Sequence, residues 1–147
     1  MPTKFQIVID CATPDRQVRF WASALGYVVE VPPAGFDTWI AYWRDVGVPE
    51  DELEEGSDSL VDPEGKGPRI WFQKVPEGKV VKNRLHLDLG VSGGRGQPLA
   101  VRKERVNAEA ERLVAIGATK VRVLETEGLD HYAVAMKDPE GNEFDIN

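Results

Sequence analysis

The chain opens on a period-two pattern. Phe5, Ile7 and Ile9 alternate with Lys4, Gln6 and Asp10, which predicts a half-buried strand over residues 5–9. Thr13-Pro14-Asp15 then reads as a helix start, with Thr at the N-cap and Pro in the first turn. Val18, Trp21, Ala22 and Leu25 recur at helical spacing until Gly26 stops the run. Three strands are predicted next, over 27–31, 38–43 and 69–75. Pro32-Pro33-Ala34-Gly35 breaks the chain between the first two. A second cycle follows the linker Pro76-Glu77-Gly78. Leu85, Leu87 and Leu89 alternate with Arg84, His86 and Asp88, which predicts a strand over 84–89. Leu99, Val106, Ala110 and Leu113 mark one face of a long helix ending at Gly117, and short strands follow over 120–124, 132–136 and 143–146.

The order is strand, helix, three strands, then the same again, so an internal repeat is expected. Asp62-Pro63-Glu64-Gly65 returns as Asp138-Pro139-Glu140-Gly141, each before the last strand of its half. Turn chemistry favours such a tetrapeptide anywhere, so its position carries more than its composition. The expected organisation is one domain, residues 1–147, made of module 1 (1–76) and module 2 (82–147). An acidic insertion at 45–67 sets the first module apart.

Charge sharpens that picture. The net charge is −7, from 18 Lys plus Arg against 25 Asp plus Glu. This argues against nucleic acid and anionic membranes as partners. Residues 45–65 hold nine of the acids and no Lys or Arg, leaving sixteen acids against eighteen bases elsewhere. The segment is read as a solvated loop with one helical turn near residues 50–55, not as a metal site. The single Cys11 excludes an intrachain disulfide and suits a reducing compartment. With neither a signal-like N-terminus nor a long apolar run, the expectation is a cytoplasmic protein.

Several stretches carry a resemblance: Phe20-Trp21 with Ala24-Leu25-Gly26-Tyr27; residues 69–76 (RIWFQKVP); residues 82–89 (KNRLHLDL); and residues 138–144 (DPEGNEF). In these and in its module order the chain resembles the glyoxalase-like branch of the vicinal oxygen chelate (glyoxalase/bleomycin-resistance/dioxygenase) superfamily. The resemblance implies an α+β fold. Two tandem βαβββ modules would form a cupped half-barrel of mixed sheet, with the helices outside and the site inside. On that fold Phe5, Ile7, Ile9, Ile70, Phe72, Leu85, Leu87, Leu89, Phe144 and Ile146 would face the helices. Gln6, Val8, Trp71, Gln73, Arg84, His86, Asp88, Glu143 and Asp145 would face the cup.

In metal-using members, the first and last strands of each module supply four ligands. Matched strand by strand, these positions hold Gln6, Gln73, His86 and Asp145. Imidazole and carboxylate suit Ni, Zn, Mn or Fe(II), whereas two uncharged amides are poor ligands. The leading expectation is therefore a pocket for a small organic molecule without a tightly bound catalytic metal. Gln6, Gln73, His86, Asp145 and Arg84 would grip the ligand, between aromatic walls from Trp71, Trp39 and Trp43. Two alternatives stay open: a divalent-metal-dependent lyase, isomerase or dioxygenase using the same four residues, and a drug-sequestering protein like the bleomycin-resistance proteins. A homodimer suits all three. His131 reads as a mouth or turn residue. Ser92-Gly93-Gly94-Arg95-Gly96 reads as a connector, since it lacks the dinucleotide and P-loop patterns.

Overall fold

In the structure, a computed structural model, residues 1–54 and 56–147 are described. They divide into two compact units, Met1–Pro76 and Glu77–Asn147. In the first unit, strand β1 (Ile7–Cys11) leads into helix α1 (Pro14–Leu25), followed by strands β2 (Val28–Val29), β3 (Ser59–Val61) and β4 (Ile70–Lys74). They form one sheet in the order β1-β4-β3-β2, with β1 and β4 parallel and the remaining pairs antiparallel. A parallel pair needs a crossover, and α1 supplies it. Its Val18 and Trp21, one turn apart, are buried with Phe20, as are Leu60, Ile70 and Phe72 of the sheet. Gly26 ends α1 in the left-handed region at φ 68°, where a side chain would be strained.

The second unit repeats the plan. Strand β5 (Asp88–Leu89), helix α3 (Leu99–Ala115) and strands β6 (Thr119–Leu124), β7 (Ala133–Lys137) and β8 (Glu143–Ile146) give the order β5-β8-β7-β6, again with the first and last strands parallel. Val106, Ala110 and Leu113 of α3 are buried, as are Leu89, Val134, Met136, Phe144 and Ile146 of the sheet. The chain is thus two tandem βαβββ units, each with a four-stranded mixed sheet. The repeated tetrapeptide does the same work in both. Asp62 accepts the backbone N–H groups of Glu64, Lys66 and Gly67, and Asp138 those of Glu140 and Asn142. Each carboxylate closes the turn before its unit's last strand.

The structure corrects several expectations in the first unit. Residues 38–43 are not a strand, because helix α2 (Trp39–Asp45) occupies them. Aromatic and β-branched content suited a strand, but Thr38 Oγ1 accepts from Ala41 N–H at 3.1 Å and starts a helix. The i, i+3, i+4 spacing then brings Trp39, Tyr42 and Trp43 together, with ring centroids 5.0–5.8 Å apart. The middle strand is instead β3, inside the acidic stretch, where Leu60 is fully buried. Residues 45–65 are therefore not simply a solvated loop. The turn expected near 50–55 is a 3-10 turn over Glu50–Glu52, and Glu55 lies outside the described residues. The ladder of 27–31 shrinks to two residues. Phe5 and Leu85, expected to face the helices, are 72% and 90% exposed. Both precede the paired part of their strands, so no helix covers them.

Among the described residues no helix is long and apolar enough to cross a membrane.

Candidate functional site

In the first unit the parallel register sets Val8 opposite Trp71 and Asp10 opposite Gln73. Ile70 and Phe72, on the other face of β4, are buried, so Trp71 and Gln73 emerge on the side away from the core. This side lines a half-open cavity of about 830 Å³, formed wholly within the unit. Its walls include Trp43, Leu53 and Trp71, with Gln6 and Gln73 among the polar groups. The Trp71 indole N–H donates to Asp58 Oδ2 at 3.1 Å, which fixes the ring. Trp39 does not line the cavity. It stacks on Trp43 at 5.5 Å and donates its indole N–H to the Glu30 carbonyl.

Gln6 and Gln73 share this cavity, but the ladder does not set them side by side. Gln73 pairs with Asp10, four residues beyond Gln6, a separation of about 13 Å along the strand. Gln6 is also committed: its Oε1 accepts from the Arg69 guanidinium at 2.9 Å, and Arg69 is ion-paired to Glu30 at 2.7 Å. That oxygen is thus already spent on a charged donor.

The second unit brings another set together. Asp88 and Asp145 are direct cross-strand partners of β5 and β8, and His86 lies two residues before Asp88 on the same phase. His86 Nε2 stands 3.2 Å from Asp88 Oδ1 and 3.6 Å from Asp145 Oδ2. The three ligand atoms lie within 4.8 Å of one another, the one such group of His, Cys, Asp or Glu among the described residues. The donor set fits a divalent ion. Metal–ligand bonds of about 2.0–2.2 Å place adjacent donors roughly 3–3.5 Å apart, and two carboxylates balance the 2+ charge. The sequence points to His86 and Asp145 and offers Asp88 or Asp10 as a further carboxylate, and the strand register places Asp88 within reach. The 86/88 alternation was the available signal, without the pairing to place it.

Neighbouring charges are spent elsewhere. Glu143, on the same face of β8 as Asp145, accepts from Asn83 N–H and Lys79 Nζ, both at 3.0 Å. The Asn83 N–H above all, then Lys79, pulls its pKa down to about 2. Arg84 is exposed and makes no ion pair among the described residues. His131 lines a separate hollow of about 250 Å³ with Arg95 and Arg102.

A family model described as a glyoxalase-like domain matches residues 6–147. The chain belongs to the glyoxalase-like family. Solved structures agree in fold. A glyoxalase/bleomycin resistance protein/dioxygenase family enzyme from Burkholderia phytofirmans is 18% identical at a TM-score of 0.58, over 97% of this chain and 94% of that one. The fosfomycin resistance protein FosX from Listeria monocytogenes, complexed with Mn(II) and 1S,2S-dihydroxypropylphosphonic acid, is 9% identical at 0.61, over 100% and 90%. A hypothetical protein from S. aureus is 14% identical at 0.61, over 99% and 93%. No curated protein sequence matches this glyoxalase-like chain significantly.

Proposed function

We propose that this glyoxalase-like protein binds a small organic molecule in the cavity of its first unit. The supporting observation is a half-open space of about 830 Å³ with two tryptophans, Trp43 and Trp71, in its wall. Ligand sites commonly span about 300–1,000 Å³ and combine apolar walls with a few placed polar groups. Gln6, Gln73 and Asp58 supply such groups here. A thermal-shift screen with aromatic small molecules, repeated on Trp43→Ala, tests the reading. Stabilisation by one or more compounds that the variant loses is expected. A flat response across the screen overturns it.

A second reading rests on the His86, Asp88 and Asp145 cluster, which would hold a divalent metal. Such an ion supplies Lewis-acid polarisation of an oxygen. The residues' part is to place one imidazole and two carboxylates, with Asp145 N–H fixed on the Leu87 carbonyl at 2.9 Å. Calorimetric titration with Mn, Ni or Zn should give stoichiometric binding that Asp145→Ala and Asp88→Ala each abolish. Absence of binding at millimolar metal removes this reading and leaves the first intact.

A further inference from the structure

We infer that the ligand of the first-unit cavity is an organic cation, an ammonium or guanidinium carried on a flat apolar body. The inference rests on the cavity reading above and names its substrate class.

Charge bookkeeping around the wall carries the argument. Among the described residues, six ionisable side chains line the cavity: Asp15, Glu52, Glu54, Asp58, Arg69 and Lys74. Both cations are already neutralised, Arg69 by Glu30 at 2.7 Å and Lys74 by Glu54 at 2.9 Å. Asp15 is paired with Arg19 at 2.7 Å. Glu52 and Asp58 remain, and neither forms an ion pair among the described residues. Asp58 spends Oδ2 on the Trp71 indole N–H, a neutral donor that leaves its charge uncompensated, and Oδ1 accepts no hydrogen bond among the described residues. Among the described residues the wall therefore offers two uncompensated carboxylates beside two indoles and no uncompensated cation. An anionic ligand would meet net repulsion, and a neutral one would gain hydrogen bonds from the carboxylates but no charge attraction. A cation gains from both features, because carboxylates and indole faces each attract positive charge. The surrounding unit adds to the field: Met1–Pro76 holds thirteen acids against seven bases.

The test is calorimetry on the full chain with charge-matched series on phenyl, indolyl and naphthyl scaffolds. Each scaffold is offered as the 2-arylethylammonium, the corresponding alcohol and the corresponding carboxylate. The ammonium members should bind about tenfold tighter than the alcohols, with the carboxylates weakest. Glu52→Gln and Asp58→Asn should each cut that preference about threefold. Asparagine keeps an acceptor for Trp71, and Glu52 is exposed, so both variants retain the fold. Trp43→Ala should weaken every member. Alcohols or carboxylates binding as tightly as ammonium, with Trp43→Ala still weakening them, overturn the cation inference and leave the cavity reading standing. A preference for ammonium undiminished in the double carboxylate variant also overturns it. Absence of binding by any member removes the cavity reading and the inference together.

Discussion

Glu143 is a carboxylate whose work is structural despite its place beside Asp145. Its Oε2 holds Asn83 N–H and Lys79 Nζ at 3.0 Å each, and Asn83 Nδ2 reaches the Glu143 carbonyl. The segment entering the second unit is thus tied to β8. The pKa held at about 2 against an ordinary 4.5 means the charged form favours the folded state. That contribution is fully present above pH 4.5 and is lost as pH falls through about 2. Water reaches one-fifth of the side chain, so screening limits the contribution to about 1–2 kcal/mol. Glu143→Gln should therefore cost about that much in urea denaturation at pH 7. Its deficit against wild type should shrink at pH 3 and vanish near pH 2, and a deficit independent of pH would contradict the charge argument. At this scale the sequence was informative about residue type and phase. His86 and Asp145 could be singled out, yet the contact with Asp88 depends on which residues of β5 and β8 lie opposite, and no single strand encodes that.

Among the elements, α2 and β3 explain where sequence pattern failed. A five-residue run of Trp, Ile, Ala and Tyr satisfies both periods at once, so the deciding term is local capping. Thr38→Ala removes the bond to Ala41 N–H and should destabilise α2 by about 1 kcal/mol. The readout is tryptophan emission, because Trp39 and Trp43 stack on this helix. A red shift at low denaturant, before global unfolding, is expected. Strand β3 escaped notice for the opposite reason: three residues amid nine acids carry almost no period-two signal. Its fully buried Leu60 nonetheless anchors the sheet between β2 and β4. Leu60→Ala should cost about 2–4 kcal/mol of global stability, whereas Val46→Ala, at a position 53% exposed, should stay within about 0.5 kcal/mol. Equal effects would mean that the acidic stretch is peripheral after all. The long helices and strands β1, β4 and β8 were legible, because their periodic faces are the faces they bury.

Across the whole molecule the repeat was readable and the charge was not. Tandem βαβββ order follows from the spacing of apolar runs and the doubled Asp-Pro-Glu-Gly turn. The consequence of a net −7 depends on which acids find partners. The first unit carries thirteen acids and seven bases, the second twelve and eleven, so nearly all the excess sits in Met1–Pro76. Five of the first unit's seven bases are already engaged, in Arg19–Asp15, Arg44–Glu50, Lys66–Glu64, Arg69–Glu30 and Lys74–Glu54. These pairs, mostly exposed, contribute little each, and seven acids among that unit's described residues stand outside them. Self-repulsion among these acids should outweigh what the pairs gain. At low ionic strength the Debye length is about 30 Å, so the repulsion acts across the unit, and at physiological salt it contracts to about 8 Å. Raising NaCl from 10 mM to 300 mM at pH 7 should therefore raise Tm by roughly 2–4 °C. A fall in Tm with salt would show instead that the five ion pairs dominate the unit's electrostatics.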